Sequence, residues 1–325
     1  MQNNHVRWGI LGCGDVTEVK SGPALQKAAR SSLVAVMRRD GAKAADYARR
    51  HGVPKHYDDA DALIGDDEVD AVYIATPPSS HKTLALKALA AGKPILVEKP
   101  MALDGSECGA MAEAAAQAKR SLTIAYYRRA LPRFEALRSI VQSGEIGAVH
   151  AVSVIQIKPA EDTPAETWKR DPATNGGGLF VDVQTHVLDW LAYTLGPPEA
   201  VTGQVRRLDP RSPCEDTIHY LVSFPGAAAS GACSFASAPP QENVTIHCEK
   251  GRASMGFLRP SVVEVTTPTG SYTVDKPDPP HVHQPFVERL IAHYLDGAPN
   301  PCPPEDGRIA TDIVDTLYAD YRGRT

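Results

Sequence analysis

The strongest constraint on this chain is a rhythm of short apolar runs alternating with helix-compatible stretches. Runs at residues 6–11, 33–37, 70–75, 94–97 and 122–125 read as buried strands, and the segments 15–30, 41–51, 83–91 and 105–119 between them suit helices. Strands joined through helices pair in parallel, because a crossover returns each strand in the same direction. About six such steps predict a doubly wound sheet with helices on both faces. Gly52 just past the 41–51 segment is the expected C-cap.

After Tyr126 the rhythm changes. A helix at 132–143 ends at Gly144, and β-like runs follow at 149–158, 200–208, 217–224, 231–235, 244–249, 254–258, 262–267 and 271–274. Their spacing, with turn residues between, predicts one large, mostly antiparallel open sheet. The expected fold is therefore α/β, with a dinucleotide-binding domain at 1–125 and an α+β domain at 126–325. The helical tail at 305–321 is expected to pack back on the first domain. Two domains also suit 325 residues, a length beyond which a single core seldom grows. An open sheet face needs cover, and a second copy of the chain would supply it, so a homodimer or homotetramer through this sheet is expected.

The formal charge is −5 and the basic residues are dispersed, which argues against nucleic acid as a partner. No apolar stretch is long enough to span a bilayer and no cationic leader precedes Val6, so a cytoplasmic protein without a membrane partner is expected. The six cysteines lack CxxC spacing, and His281 and His283 have no carboxylate or cysteine at a recognised ligand spacing, so no metal is expected.

Five stretches carry chemistry. Gly12-Cys13-Gly14-Asp15-Val16 follows the first strand, where Gly12 suits a tight turn and Gly14 lets backbone N–H groups approach a pyrophosphate at a helix N-terminus. Thr17 stands where a third glycine or alanine is usual. At the end of the second strand, where a carboxylate would bind the ribose of NAD, this chain has Arg38 and Arg39 before Asp40. Guanidinium groups suit a 2′-phosphate, which favours NADP over NAD; Asp40 turned to the ribose is the opposing reading. Thr76-Pro77-Pro78 with His81, and Glu98-Lys99-Pro100, close two further strands on the same edge. His81 either meets the cofactor or packs against its own loop.

The fifth stretch runs from Trp168-Lys169-Arg170 through three glycines to Asp182 and His186. On a helix, residues four apart share a face, so this pair can present a carboxylate and an imidazole to a substrate hydroxyl. Histidine as a side-chain type titrates near ~6.5, which suits proton transfer. A solvated polar pair or a core histidine is the bland alternative.

Taken in order, Gly12 to Asp15, Ala75 to Pro78 with His81, Glu98-Lys99-Pro100, Tyr126 with Arg128-Arg129, and Trp168 through His186 resemble the Gfo/Idh/MocA family of oxidoreductases. The resemblance spans nearly the whole chain. It implies a Rossmann domain followed by an open-sheet domain, with NAD(P)-dependent oxidation or reduction of a sugar, polyol or related carbonyl compound. By that likeness Lys99 stands beside the nicotinamide ribose and the reacting oxygen, aimed by a cis peptide bond between it and Pro100. His186 is the acid or base, and Asp182 helps hold the substrate or the catalytic network. Gly12, Gly14, Asp15, Val16, Arg38, Arg39, Thr76, Pro77, His81 and Glu98 are the expected cofactor contacts, with Tyr126, Arg128, Trp168 and Arg170 as substrate wall. Departures from the family pattern are Gln184 and Thr185 before the histidine, Tyr127 after the tyrosine, and Arg38 where an acid is frequent. Gln184 is expected to reshape the pocket. A glycosidase working through transient oxidation, or a noncatalytic NADP-responsive regulator, would use the same fold.

Overall fold

The computed structural model describes residues 4–159 and 167–323. The chain divides into two compact units, Met1–Arg128 with Pro279–Arg308, and Arg129–Asp278 with Ile309–Thr325.

The first unit is built on six parallel strands: β1 Val6–Leu11, β2 Ser31–Met37, β3 Lys55–Tyr57, β4 Ala71–Ile74, β5 Ile95–Val97 and β6 Leu122–Ile124. Their order is β3-β2-β1-β4-β5-β6. Every residue of β4, β5 and β6 is buried, as expected of strands covered by helices on both faces. The crossovers from β1 run first toward β3 and then toward β6. This reversal opens a crevice beyond the carboxyl ends of β1 and β4.

The expected 15–30 helix is broken at Lys20 into Asp15–Val19 and Ser21–Lys27. The short edge strand β3, with its half-buried ends, carries no apolar pattern and is not among the expected strands. Gly52 ends the Gly41–His51 helix at φ 66°, and Lys119 takes the left-handed conformation at φ 50° to end Gly105–Ala118.

The chain also comes back. Helix Gln284–Asp296 packs on Ser21–Lys27, and Arg30 pairs with Asp296. Beyond it, the Ile124 N–H donates to the Cys302 carbonyl at 3.0 Å, and the Thr123 hydroxyl donates to Asn300 Oδ1 at 3.0 Å. The division thus differs from a single boundary at 125. The segment that returns to the first unit is Pro279–Arg308, whereas helix Ile309–Arg322 belongs to the second unit, against helix Leu179–Leu195 and the strand Ala200–Arg206.

Among the described residues the second unit has eight strands: β7 Val149–Ile157, β8 Ala200–Arg206, β9 Thr217–Phe224, β10 Ala227–Ser234, β11 Gln241–Cys248, β12 Gly251–Met255, β13 Val263–Thr267 and β14 Gly270–Val274. The order is β14-β13-β12-β11-β7-β10-β9-β8, and only β7 and β10 pair in parallel. Along β9, Ile218, Tyr220, Val222 and Phe224 are buried in strict alternation, so one face forms the core under helix Leu179–Leu195. Gly231 makes room for that core, since a Cβ there would sit 2.0 Å from the Tyr220 ring.

Candidate active site

In the first unit, Gly12 leaves β1 at φ 90°, and a Cβ on it would lie 2.6 Å from Thr76 Cγ2 and 2.9 Å from the Thr76 nitrogen. Only glycine passes that close to the end of β4. Gly14 is different: a Cβ there would meet nothing nearer than 3.9 Å, so its outer side is open to a ligand. The Asp15 and Val16 N–H groups open the helix after it and precede its first internal bonds. Thr17 closes the turn itself, donating to the Gly14 carbonyl at 2.7 Å and accepting from the Gly14 N–H at 3.0 Å. The tight approach at Gly12 and the free space at Gly14 fit a dinucleotide pyrophosphate.

Arg38 and Arg39 are exposed at the end of β2. Asp40 is engaged elsewhere: as N-cap of the next helix it accepts the Lys43 N–H at 3.1 Å and pairs with the Lys43 ammonium at 3.3 Å. These bonds, the backbone one first, hold its carboxyl below the usual range.

His81 is fully buried and ties two loops together, with Nε2 2.8 Å from the Thr76 carbonyl and Nδ1 3.1 Å from the Pro100 carbonyl. Burial holds its pKa down. It shapes the loops that carry Thr76, Pro77 and Lys99 from within. The Lys99-Pro100 bond is cis and Lys99 is half-buried. Glu98 is buried: Oε1 accepts the Tyr73 hydroxyl at 2.5 Å and Oε2 accepts the Lys99 N–H at 3.1 Å. Burial pushes its pKa up. Tyr126, Tyr127 and Arg128 follow β6; Tyr126 is fully buried, and the Arg128 guanidinium lies 5.5 Å from the Tyr127 ring centre.

In the second unit, the turn Trp168–Arg170 leads to the glycine stretch. Asn175 Nδ2 donates to the Gly178 carbonyl at 2.9 Å, and the Gly178 N–H donates to Glu215 Oε1 at 2.5 Å. Glu215 also accepts the Tyr318 hydroxyl at 2.6 Å, and burial raises its pKa. This knot fixes the start of helix Leu179–Leu195. Asp182 and His186 stand one turn apart on that helix, and the Lys169 ammonium pairs with Asp182 Oδ2 at 3.0 Å. Trp168 is 41% exposed, with the Lys169 ammonium 5.7 Å from its ring centre, whereas Arg170 is buried and donates to the Ser212 hydroxyl at 3.1 Å. Gln184 does not reshape the Asp182 face: two residues along a helix it points elsewhere, is wholly buried, and its Oε1 accepts the Tyr220 hydroxyl at 3.3 Å.

Sequence reading gave no site role to Tyr73, Lys169, Glu215 or His283. The first two carried a signal, a hydroxyl inside an apolar strand and a cation beside a motif. Glu215 and His283 gave none, because their partners are distant in sequence.

A parallel sheet in this strand order, with a glycine turn at its switch point, defines a dinucleotide-binding unit of Rossmann type. Residues 6–126 match the oxidoreductase family with an NAD-binding Rossmann fold, and residues 134–254 match the GFO/IDH/MocA C-terminal domain. The chain belongs to the GFO/IDH/MocA oxidoreductase family. It is 37% identical to oxidoreductase P35 of Formosa agariphila over 97% of this chain and 98% of that protein. It is 30% identical to the inositol 2-dehydrogenase of Rhizobium meliloti over 90% of this chain and 86% of that one. The solved aldose-aldose oxidoreductase of Caulobacter crescentus, in complex with glycerol, has the same fold, with a TM-score of 0.87 at 24% identity over 99% and 98% of the two chains. Among the described residues, no helix is long and apolar enough to cross a membrane.

Proposed function

We propose that this protein is an NADP(H)-dependent dehydrogenase or reductase acting on a hydroxyl, or its carbonyl form, of a cyclic polyol or sugar. The observation that carries the reading is the end of β5, where Glu98 and Lys99 follow the strand next to the glycine-turn crevice and Glu98 is held by Tyr73. The 30% identity to an inositol dehydrogenase over most of both chains supports the substrate class. The preference for NADP rests on two exposed arginines at the end of β2, beside an aspartate already taken up by its own helix.

Bound nicotinamide would supply the hydride donor or acceptor. His186 takes the hydroxyl proton when the substrate is oxidised and returns it when the carbonyl form is reduced. Lys99 places a positive charge against the oxygen as it gains anionic character. Asp182, steadied by Lys169, accepts hydrogen bonds from neighbouring substrate hydroxyls. Trp168 forms part of the substrate wall, Gly12 to Val16 hold the pyrophosphate, and Tyr126, Arg128 and Arg170 act from behind these surfaces. The sheet of the second unit exposes Leu221 and Tyr272, and a second copy of the chain is the cover we assign to it, in a homodimer or homotetramer.

The test is turnover of NADP(H) and NAD(H) with a panel of inositols, sugars and keto-sugars, followed by nicotinamide absorbance. Lys99→Met and His186→Ala are expected to lose roughly a hundredfold or more in kcat. Full activity in both variants would refute the roles given to them. Release of an aryl group from a glycoside without net absorbance change, or coenzyme binding with no turnover on any substrate, would replace the reading.

A further inference from the structure

His283 lies at the Lys99 strand end, in the same unit, and has no part in the mechanism above. It is 2% exposed and stacks on Tyr127 with 4.1 Å between ring centres and 27° between planes. Its Nδ1 is 3.9 Å from Glu98 Oε1, while Nε2 is buried with no hydrogen-bond partner among the described residues. Leaving a buried polar atom unpaired is destabilising, and phenylalanine would fill the same place beside Tyr127 without that cost.

The surroundings define what Nε2 can bind. Both Glu98 oxygens already act as acceptors, so the edge facing Nδ1 favours the tautomer with its proton on Nδ1 and a lone pair on Nε2. Burial first, and then the charges of Lys20, Arg128 and Lys99, press the His283 pKa down to about 3, so the ring stays neutral. Those same cations repel a cationic donor. A neutral donor remains: the coenzyme offers ribose hydroxyls and a carboxamide N–H and a polyol offers hydroxyls, so a hydroxyl is the donor the two ligands share.

We propose that Nε2 of His283 accepts a hydrogen bond from a ligand hydroxyl at the Lys99 strand end, which makes His283 a binding and orienting residue. The inference rests on the reading of that strand end as the reaction site. The hydroxyl comes either from the ribose of the coenzyme or from the polyol substrate. Nε2 is closed to solvent in the free chain, so the ligand displaces a neighbour to reach it.

The test compares His283→Phe, which keeps the ring stack and removes the acceptor, with His283→Gln, which restores a carbonyl acceptor. Coenzyme Kd is measured by calorimetry with NADP(H), and KM and kcat with an inositol or sugar at saturating coenzyme; thermal melts establish folding. His283→Phe is expected to weaken one ligand roughly five- to tenfold, with His283→Gln regaining part of the loss. A raised coenzyme Kd with unchanged KM assigns the coenzyme as donor, and the reverse pattern assigns the substrate. A wild-type chain that binds coenzyme, with both constants within about twofold in a folded His283→Phe, overturns this inference alone. A wild-type chain that binds no coenzyme overturns the reading beneath it as well.

Discussion

Replacing Asp189 with asparagine tests how helix Leu179–Leu195 is held. Arg129 and Asp189 are each 2% exposed at their side chains, and the guanidinium donates to both carboxylate oxygens, at 2.7 Å from Nη2 and 3.0 Å from Nε. The same guanidinium lies 4.6 Å from the Tyr193 ring centre, one turn further along the helix. Asp189→Asn keeps the shape and removes the negative charge, so the arginine charge stays buried without it. Breaking a buried pair in this way costs about 3–5 kcal/mol. For a unit of this size that lowers the melting midpoint by roughly 10 °C. The assay is a thermal melt with a parallel urea titration, with kcat measured well below the transition, because His186 sits three residues before Asp189. The control is the double variant Arg129→Met with Asp189→Leu, in which both charges are replaced by apolar groups. It is expected to match or exceed the wild type in stability. An unchanged midpoint for Asp189→Asn, or a double variant as unstable as the single one, would refute the reasoning.

Other outcomes follow from the same structure. Gly12→Ala puts a Cβ against Thr76 at a left-handed φ, so NADP(H) titration should show binding weakened at least about tenfold while circular dichroism keeps the wild-type fold. Glu215→Ala should lose about 1–3 kcal/mol in urea unfolding by orphaning the Gly178 N–H and the Tyr318 hydroxyl, whereas Glu215→Gln retains an oxygen acceptor and should lose less. Burial raises the folded pKa of Glu215, so its contribution is present below the ordinary glutamate range near ~4.3 and declines as pH rises through the folded value; the glutamine variant should remove that slope. His283 has the opposite sign. Its folded pKa of about 3 lies below the ordinary value, so stability is full above ~6.5 and falls with acid at about 1.4 kcal/mol per pH unit. Lys20, Arg128 and Lys99 oppose its protonation and Glu98 faces it, and unfolding of His283→Phe between these limits should show a flatter acid limb.

Local pattern and its limits explain how much was legible. The strands at the centre of the first sheet are continuous apolar runs, and Gly12, Gly14 and Glu98-Lys99-Pro100 lie at their ends, so fold class and half of the candidate site follow from spacing alone. Helix periodicity likewise puts Asp182 and His186 on one face before any contact is known. Lys55–Tyr57 escaped because a three-residue edge strand needs no apolar face; the break at Lys20 carried a signal that was passed over, since Pro23 has no N–H to donate to the Val19 carbonyl and interrupts a continuous helix there. The return of residues 279–308 to the first unit was not legible, because the hydrogen bonds that join Asn300 and Cys302 to β6, some 180 residues apart in sequence, leave no trace in local composition. Tertiary packing also decided that Asp40 caps its helix, that His81 braces two loops, that Gln184 faces the sheet and that His283 rests beside Glu98. Periodicity and turn chemistry are short-range, so a sequence states where strands end and which residues stand there. Which of those residues is exposed, paired or left with an open lone pair depends on what distant segments bring to them.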